Sequence, residues 1–106
     1  MTTLEILVKA RELIAEPERW TQGAFARDEH GFSRYVCPGE FDYTCYCASG
    51  ALRAAGGYTT HPAYNAIHTG GPAVCVWNDA PGRTHAEVLA AFDAAIATER
   101  AKAQHV

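Results

Sequence analysis

The stretch from Val74 to Ile96 is V-C-V-W-N-D-A-P-G-R-T-H-A-E-V-L-A-A-F-D-A-A-I, and the rest of the chain is organised around it. Its opening residues, together with Ala73 just before them, form a short apolar run that predicts a buried β-strand over 73–77. Pro81-Gly82 marks a tight turn after that run. The remainder predicts a long amphipathic helix over 84–102. The stretch should therefore supply one strand of the sheet and the main helix of the core.

The predicted helix begins with a capping box. The Thr84 hydroxyl can accept from the backbone N–H of Glu87, and the Glu87 carboxylate can accept from the Thr84 N–H. Apolar residues then recur at helical spacing and form one stripe, at Val88, Leu89, Phe92, Ala95 and Ile96. His85 lies one turn before this stripe on the same face, so we expect its ring to be substantially buried. The partial positive charge of a helix N-terminus favours a neutral imidazole there.

Three further helices are predicted upstream. A second capping box, Thr2-Thr3-Leu4-Glu5, precedes apolar residues at helical spacing and predicts a helix over 2–16. A shorter helix is predicted over 46–56, where Gly56-Gly57 offers an ending. Pro62 at a first helical position predicts a short helix within 60–69.

The sheet should be built around a hairpin. Asp28-Glu29-His30-Gly31 is a turn signal between two arms with strand-favouring residues, 21–27 and 32–37. The fold class predicted for residues 1–106 is a small single α+β domain. Two long helices and one or two short helices should pack on a small antiparallel sheet or hairpin. His85 should then face the N-terminus of the 46–56 helix or the 21–27 arm.

Composition excludes several classes of protein. The chain has 106 residues and a net charge of −3, so it lacks the basic face that nucleic-acid binding normally requires. No apolar run is long enough for a transmembrane helix, and the N-terminal residues lack the basic region of a signal peptide. These features predict a cytoplasmic protein. They indicate no cofactor, and they do not identify a protein or small-molecule partner.

Four cysteines in a reducing compartment should be thiols or metal ligands. Their spacing is Cys37-x7-Cys45-x-Cys47, with Cys75 distant, and it matches no standard zinc pattern. No metal ligands are therefore assigned. Cys47 also heads a face of small residues, with Gly50, Ala51 and Ala54 at i+3, i+4 and i+7, where another element can approach closely.

Polar residues gather at the turn before the last helix. Asn78 and Asp79 precede Pro81-Gly82, where short polar side chains usually bond their own backbone. We expect Asp79 to fix the approach of the strand to the helix and to hold Arg83.

Three blocks of sequence form a recognisable set: residues 14–28 (IAEPERWTQGAFARD), residues 47–52 (CASGAL) and residues 77–96. Together they resemble a small family of actinobacterial, proteobacterial and phage proteins that is classed only as a domain of unknown function. The resemblance implies a cytoplasmic single-domain protein, and the family has no assigned reaction. The matched positions with chemical potential are Trp20, Thr21, Gln22, Arg27, Cys47, Asn78, Asp79, Thr84 and His85.

The first functional hypothesis is a ligand- or protein-binding module. Its polar groove would surround Asp79 and His85, and the ligand-binding residues would be Gln22, Arg27, Asn78 and Thr84. It suits the size of the chain and the absence of a complete catalytic motif.

Two alternatives remain open, so the sequence leaves enzymatic activity undecided. In a cysteine-dependent hydrolase or transferase, Cys47 would be the nucleophile, His85 the base and Asp79 the orienting group. In a metal-binding domain, His85, Asp79 and a cysteine would be the ligands. An approach of the Cys47 sulfur to a ring nitrogen of His85 would favour the enzyme.

Overall fold

The computed structural model describes residues 2–58 and 61–103. Within these residues the predicted α+β fold is confirmed, and a single 3-10 turn at Pro17–Arg19 precedes the sheet. The strands and helices, in chain order, are α1 (Thr3–Leu13), β1 (Ala26–Arg27), β2 (Ser33–Arg34), β3 (Cys45–Tyr46), α2 (Ala48–Ala54), α3 (Pro62–Ala66), α4 (Val74–Asn78) and α5 (His85–Ala103).

The two long helices, α1 and α5, pack against each other and form the main layer of the core. Both predicted capping boxes are present, with Thr2 and Glu5 at α1 and with Thr84 and Glu87 at α5. Their apolar stripes are buried, through Ile6, Leu7, Ala10 and Leu13 of α1 and through Val88, Phe92, Ala95 and Ile96 of α5. Burial of these stripes is the chief force that joins the two ends of the chain. None of the helices in the described ranges is long and apolar enough to cross a lipid bilayer.

The sheet has the strand order β2-β1-β3, and both pairings are antiparallel. Ala26 lies opposite Arg34 on one side and opposite Tyr46 on the other. The predicted hairpin between 21–27 and 32–37 is therefore confirmed in a shorter form. Its turn is closed by Asp28, whose Oδ1 accepts from the backbone N–H groups of His30 and Phe32.

The prediction of a strand over 73–77 was wrong, because these residues form α4 and the third strand is β3 instead. A short apolar run cannot distinguish a strand from a buried helical turn. The burial pattern is helical: Val74, Trp77 and Asn78 are buried, whereas Val76 is 60% exposed. The helical turn aims Trp77 and Asn78 at the core together, which a strand could not do for adjacent residues.

α2 begins later than the predicted 46–56 range, with Cys47 as its N-cap. The face of small residues does permit a close approach. A Cβ atom on Gly50 would lie 1.9 Å from the backbone oxygen of Phe25, so no other residue fits there without moving the chain. α3 begins at Pro62 as predicted, although residues 59–60 lie outside the described ranges.

Candidate functional site

Asn78 at the end of α4 is the centre of a buried hydrogen-bond network, and its side chain is fully buried. Its Oδ1 accepts from Trp20 Nε1–H at 2.7 Å and from the backbone N–H of Ala48 at 3.0 Å. Its Nδ2 donates to the backbone oxygen of Thr21 at 3.1 Å and to Asp79 Oδ1 at 2.9 Å. One amide thus connects all three blocks of sequence that were singled out above.

Asp79 and Gln22 extend this network across the molecule rather than within their own turn. The Asp79 Oδ1 accepts from the backbone N–H of Gly23 at 3.0 Å. The Gln22 amide donates to the backbone oxygens of Asn78 and Ala80, at 2.9 and 3.3 Å. The expectation that Asp79 holds Arg83 was wrong. Arg83 instead stacks on the Trp77 ring and pairs with Glu87, because both lie within reach of its long side chain.

Arg27 stabilises the loop on the other side of the network. Its guanidinium donates to Thr21 Oγ1 and to the backbone oxygens of Gln22 and Gly31, at 3.0, 3.0 and 3.2 Å. Because one planar guanidinium donates to all three acceptors, it fixes the path of the chain around Gly23, which has φ of +82°. The left-handed conformation of this glycine brings its N–H to Asp79.

A cleft of about 300 Å³ opens beside this network, and we call it the Asp79 cleft. It is lined by Gly23, Ala24, Phe25, Ser33, Cys47, Cys75 and Asp79. Two of the predicted site residues, Asp79 and Cys47, are therefore in its wall. Gln22, Arg27 and Asn78 bind the backbone around it, whereas Thr84 and His85 are not among its lining residues.

His85 is partly buried rather than substantially buried, and it lies in a different place from the one predicted. Its Nε2 is 2.6 Å from the backbone oxygen of Ile14, and its ring centroid is 5.9 Å from that of Trp20. A carbonyl oxygen can only accept, so Nε2 carries the proton in this contact. Ile14 is the C-cap of α1, whose terminal carbonyl groups lack partners within the helix. His85 therefore joins the start of α5 to the end of α1.

Cys47 is buried, and its sulfur accepts from the backbone N–H of Gly50 at 3.3 Å. Burial raises the pKa of the Cys47 thiol to about 11, and the nearby Asp79 and Cys75 add to the effect. A nucleophilic cysteine requires the opposite shift. With the His85 Nε2 bound to Ile14, the geometry gives the cysteine-enzyme hypothesis no support.

We predict that Cys47 in the folded protein will be alkylated far more slowly by iodoacetamide than the exposed Cys37. With a pKa of about 11, only about one thiol in ten thousand is ionised at pH 7, and the thiolate is the reactive form. Alkylation of Cys47 should accelerate as the pH rises. Mass spectrometry of peptides from timed labelling measures both rates, and urea-unfolded protein provides the control. Equal labelling of Cys47 and Cys37 in the folded state would contradict the assignment of Cys47 as an inert packing residue.

The metal-binding hypothesis is also without support. Within residues 2–58 and 61–103, no group of three or more His, Cys, Asp or Glu side chains is arranged to hold a metal ion. All four cysteines are free thiols.

A second and larger cleft, of about 540 Å³, adjoins the Asp79 cleft at Cys75. It lies between Ser49, Tyr64, Asn65 and the loop 67–73. The Tyr64 hydroxyl donates to the backbone oxygen of Ser49 at 2.9 Å, which fixes one wall. Among the described residues that line this cleft there is no Asp, Glu, Lys or Arg, and His68 is exposed.

Sequence reasoning missed three of the groups that give the Asp79 cleft its shape: Gly23, Phe25 and Cys75. Phe25 was predicted as part of the 21–27 arm, and Cys75 as part of the strand over 73–77. Their convergence depends on α4 being a helix that packs on α2, which the local sequence pattern does not specify.

No curated protein and no solved structure matches this chain. A family match, however, covers residues 1–98 and therefore nearly all of the chain. The protein belongs to the family described as "Family of unknown function (DUF6197)".

Proposed function

We propose that the protein is a small binding module that receives the amino group of a ligand in the Asp79 cleft. The observation that carries this proposal is the state of the Asp79 carboxylate. Its Oδ1 is held by Gly23 and Asn78, whereas Oδ2 has no hydrogen-bond partner among residues 2–58 and 61–103. No basic side chain in those ranges lies within 4.0 Å of it. One oxygen is thus fixed and the other is available.

The lining of the cleft indicates the class of ligand. A carboxylate favours a ligand group that is cationic and that donates hydrogen bonds. An ammonium group, which is common in biological ligands, has both properties. Phe25 also lines the cleft, and aromatic rings attract cations. The volume of about 300 Å³ lies at the lower end of small-molecule sites. These features support a small amine, or one lysine side chain of a larger partner.

We also propose that the protein works in a reducing compartment such as the cytoplasm. All four cysteines are free thiols, and two of them, Cys47 and Cys75, line the same cleft. Neighbouring thiols persist unoxidised where cellular reductants maintain them.

The test is an NMR titration of the protein with benzylamine at pH 7, compared with the neutral benzyl alcohol. We expect saturable shifts of the Gly23 and Asp79 amide signals with benzylamine. Asp79→Asn should weaken the binding by about tenfold or more, because it removes the charge but keeps the shape.

The matched control is Asp42→Asn, the same change at an exposed carboxylate outside the cleft. It should leave the benzylamine affinity unchanged. Equal binding of benzyl alcohol, or an unchanged affinity in Asp79→Asn, would contradict an amine site at Asp79.

A further inference from the structure

Arg53 on α2 is a buried cation, and the part of the chain that the structure describes supplies it with no counter-ion. Its side chain lies in the core region, with 9% of the residue exposed. Its Nε donates to the backbone oxygen of Val36 at 3.1 Å, and its Nη2 donates to the Tyr35 hydroxyl. Among residues 2–58 and 61–103, no carboxylate oxygen lies within 4.0 Å of this guanidinium.

This arrangement leaves a positive charge incompletely compensated. A guanidinium remains charged in proteins, and burial of a charge is costly unless it is paired. Neutral acceptors satisfy two of its three nitrogens, but they do not supply a negative charge. An anion that reached Arg53 would therefore be bound more strongly than one at a solvated surface arginine.

The third nitrogen, Nη1, is open to such an anion. It has no hydrogen-bond partner among the described residues. Within those residues, Arg19 Nε is the one fully buried side-chain nitrogen or oxygen that lacks a partner. Nη1 of Arg53 consequently retains access to solvent.

Two aromatic rings hold the guanidinium in place. Its central carbon lies 4.5 Å from the ring centroid of Tyr35 and 5.7 Å from that of Phe25. The two rings meet edge to face, with centroids 6.0 Å apart and an angle of 86°. Tyr35 is nonetheless 63% exposed, so a ligand can reach this cluster from solvent.

We propose that Arg53 and Tyr35 form a binding site for a carboxylate group. The Tyr35 hydroxyl accepts from Arg53 Nη2, so its own proton can be donated to a ligand. Nη1 shares the guanidinium with Nη2, so Nη1 and this hydroxyl are neighbouring donors, which suits the two oxygens of one carboxylate. The exposed ring of Tyr35 provides an apolar contact for the remainder of an aromatic or apolar acid.

The site goes beyond the proposed amine site and does not depend on it. Phe25 contacts the Arg53 guanidinium and also lines the Asp79 cleft, so the two sites are neighbours. Each is tested with its own probe, so either can fail while the other holds.

The experiment is an NMR titration with benzoate, compared with the neutral benzamide, while the Arg53 Nε–H and Tyr35 amide signals are followed. We expect benzoate to shift both signals saturably and to bind at least about tenfold more tightly than benzamide. Arg53→Gln should reduce the benzoate affinity by about tenfold or more, and Tyr35→Phe should reduce it several-fold. Arg34→Gln is the matched control. Arg34 is the exposed arginine next to Tyr35 in the sequence, and it already pairs with Asp28. It should leave benzoate binding unchanged.

Further outcomes decide between sources of the carboxylate and can overturn the proposal. An N-acetylated dipeptide that ends in phenylalanine is compared with its C-terminal amide. Tighter binding of the free acid than of benzoate would assign the site to a peptide C-terminus, and the reverse order would assign it to a small acid. Inorganic phosphate that binds as tightly as benzoate would overturn the carboxylate assignment. Should Arg53→Gln not fold, an unchanged affinity in the Tyr35→Phe variant would overturn the site by itself.

Discussion

Replacement of Asn78 by alanine is expected to lower the free energy of unfolding by about 3–5 kcal/mol, a large share of the stability of a small domain. The change removes four hydrogen bonds of a fully buried side chain. It also leaves the Trp20 Nε1–H and the Ala48 N–H without an acceptor, and each unsatisfied donor costs about 1–3 kcal/mol. Urea denaturation followed by tryptophan fluorescence and by circular dichroism measures the loss.

Asn65→Ala is the control for this prediction, because Asn65 is exposed and lies outside the network. Its effect should remain within about 0.5 kcal/mol. Asn78→Asp should be as damaging as Asn78→Ala, since it places a second carboxylate against Asp79 and removes both Nδ2 donors. A loss below about 1 kcal/mol in Asn78→Ala would show that water or local movement replaces the amide.

The second large effect is expected at Gly50, where alanine should destabilise the protein by about 3 kcal/mol or prevent folding. Helix propensity alone favours alanine over glycine by about 1 kcal/mol, so the two effects have opposite signs. The clash decides the outcome, because the added Cβ would lie 1.9 Å from the Phe25 backbone oxygen. That oxygen also accepts from the Cys47 N–H at 3.0 Å, so it cannot withdraw without loss.

Ala94→Gly on the exposed face of α5 is the matched control, since it measures the intrinsic preference without a contact. There the alanine form should be more stable by about 1 kcal/mol, whereas at position 50 the glycine form should be more stable. Thermal unfolding of the natural protein, Gly50→Ala and Ala94→Gly tests whether the preferred residue differs between the two positions. A Gly50→Ala variant as stable as the natural protein would mean that α2 can move away from β1.

The sequence predicted those parts of the fold that depend on neighbouring residues. The capping boxes at Thr2 and Thr84 and the turn at Asp28 each act over three or four positions, and all are present. The run 73–77 failed because five residues are too few to separate a helical period from a strand period. The third strand, which was predicted at 73–77, is therefore found at Cys45–Tyr46 instead.

The candidate site was predicted in its residues but not in its contacts. Asp79 and Cys47 do line one cleft, and ligand binding there stays a prediction. His85 was predicted to be substantially buried on the inner face of the last helix; it is only partly buried, and its partner is the backbone oxygen of Ile14, which no side-chain pattern specifies. Arg53 was missed altogether. The signal was a lone arginine in a helix of alanine, serine, glycine and leucine, which becomes informative only when its burial is known.

The Asn78 network also bears on the order in which the chain assembles. Its amide bonds residues that are 58, 57 and 30 positions away along the sequence. Closing such long loops costs conformational entropy, and this loss opposes the formation of the bonds until other contacts have brought the segments together. A capping box, by contrast, closes within a single helical turn. The helices can therefore begin to form from local contacts early. The Asn78 amide can bond its distant partners only when the chain has nearly reached its final compactness. Its hydrogen bonds should therefore form late in folding and stabilise an arrangement that is already assembled.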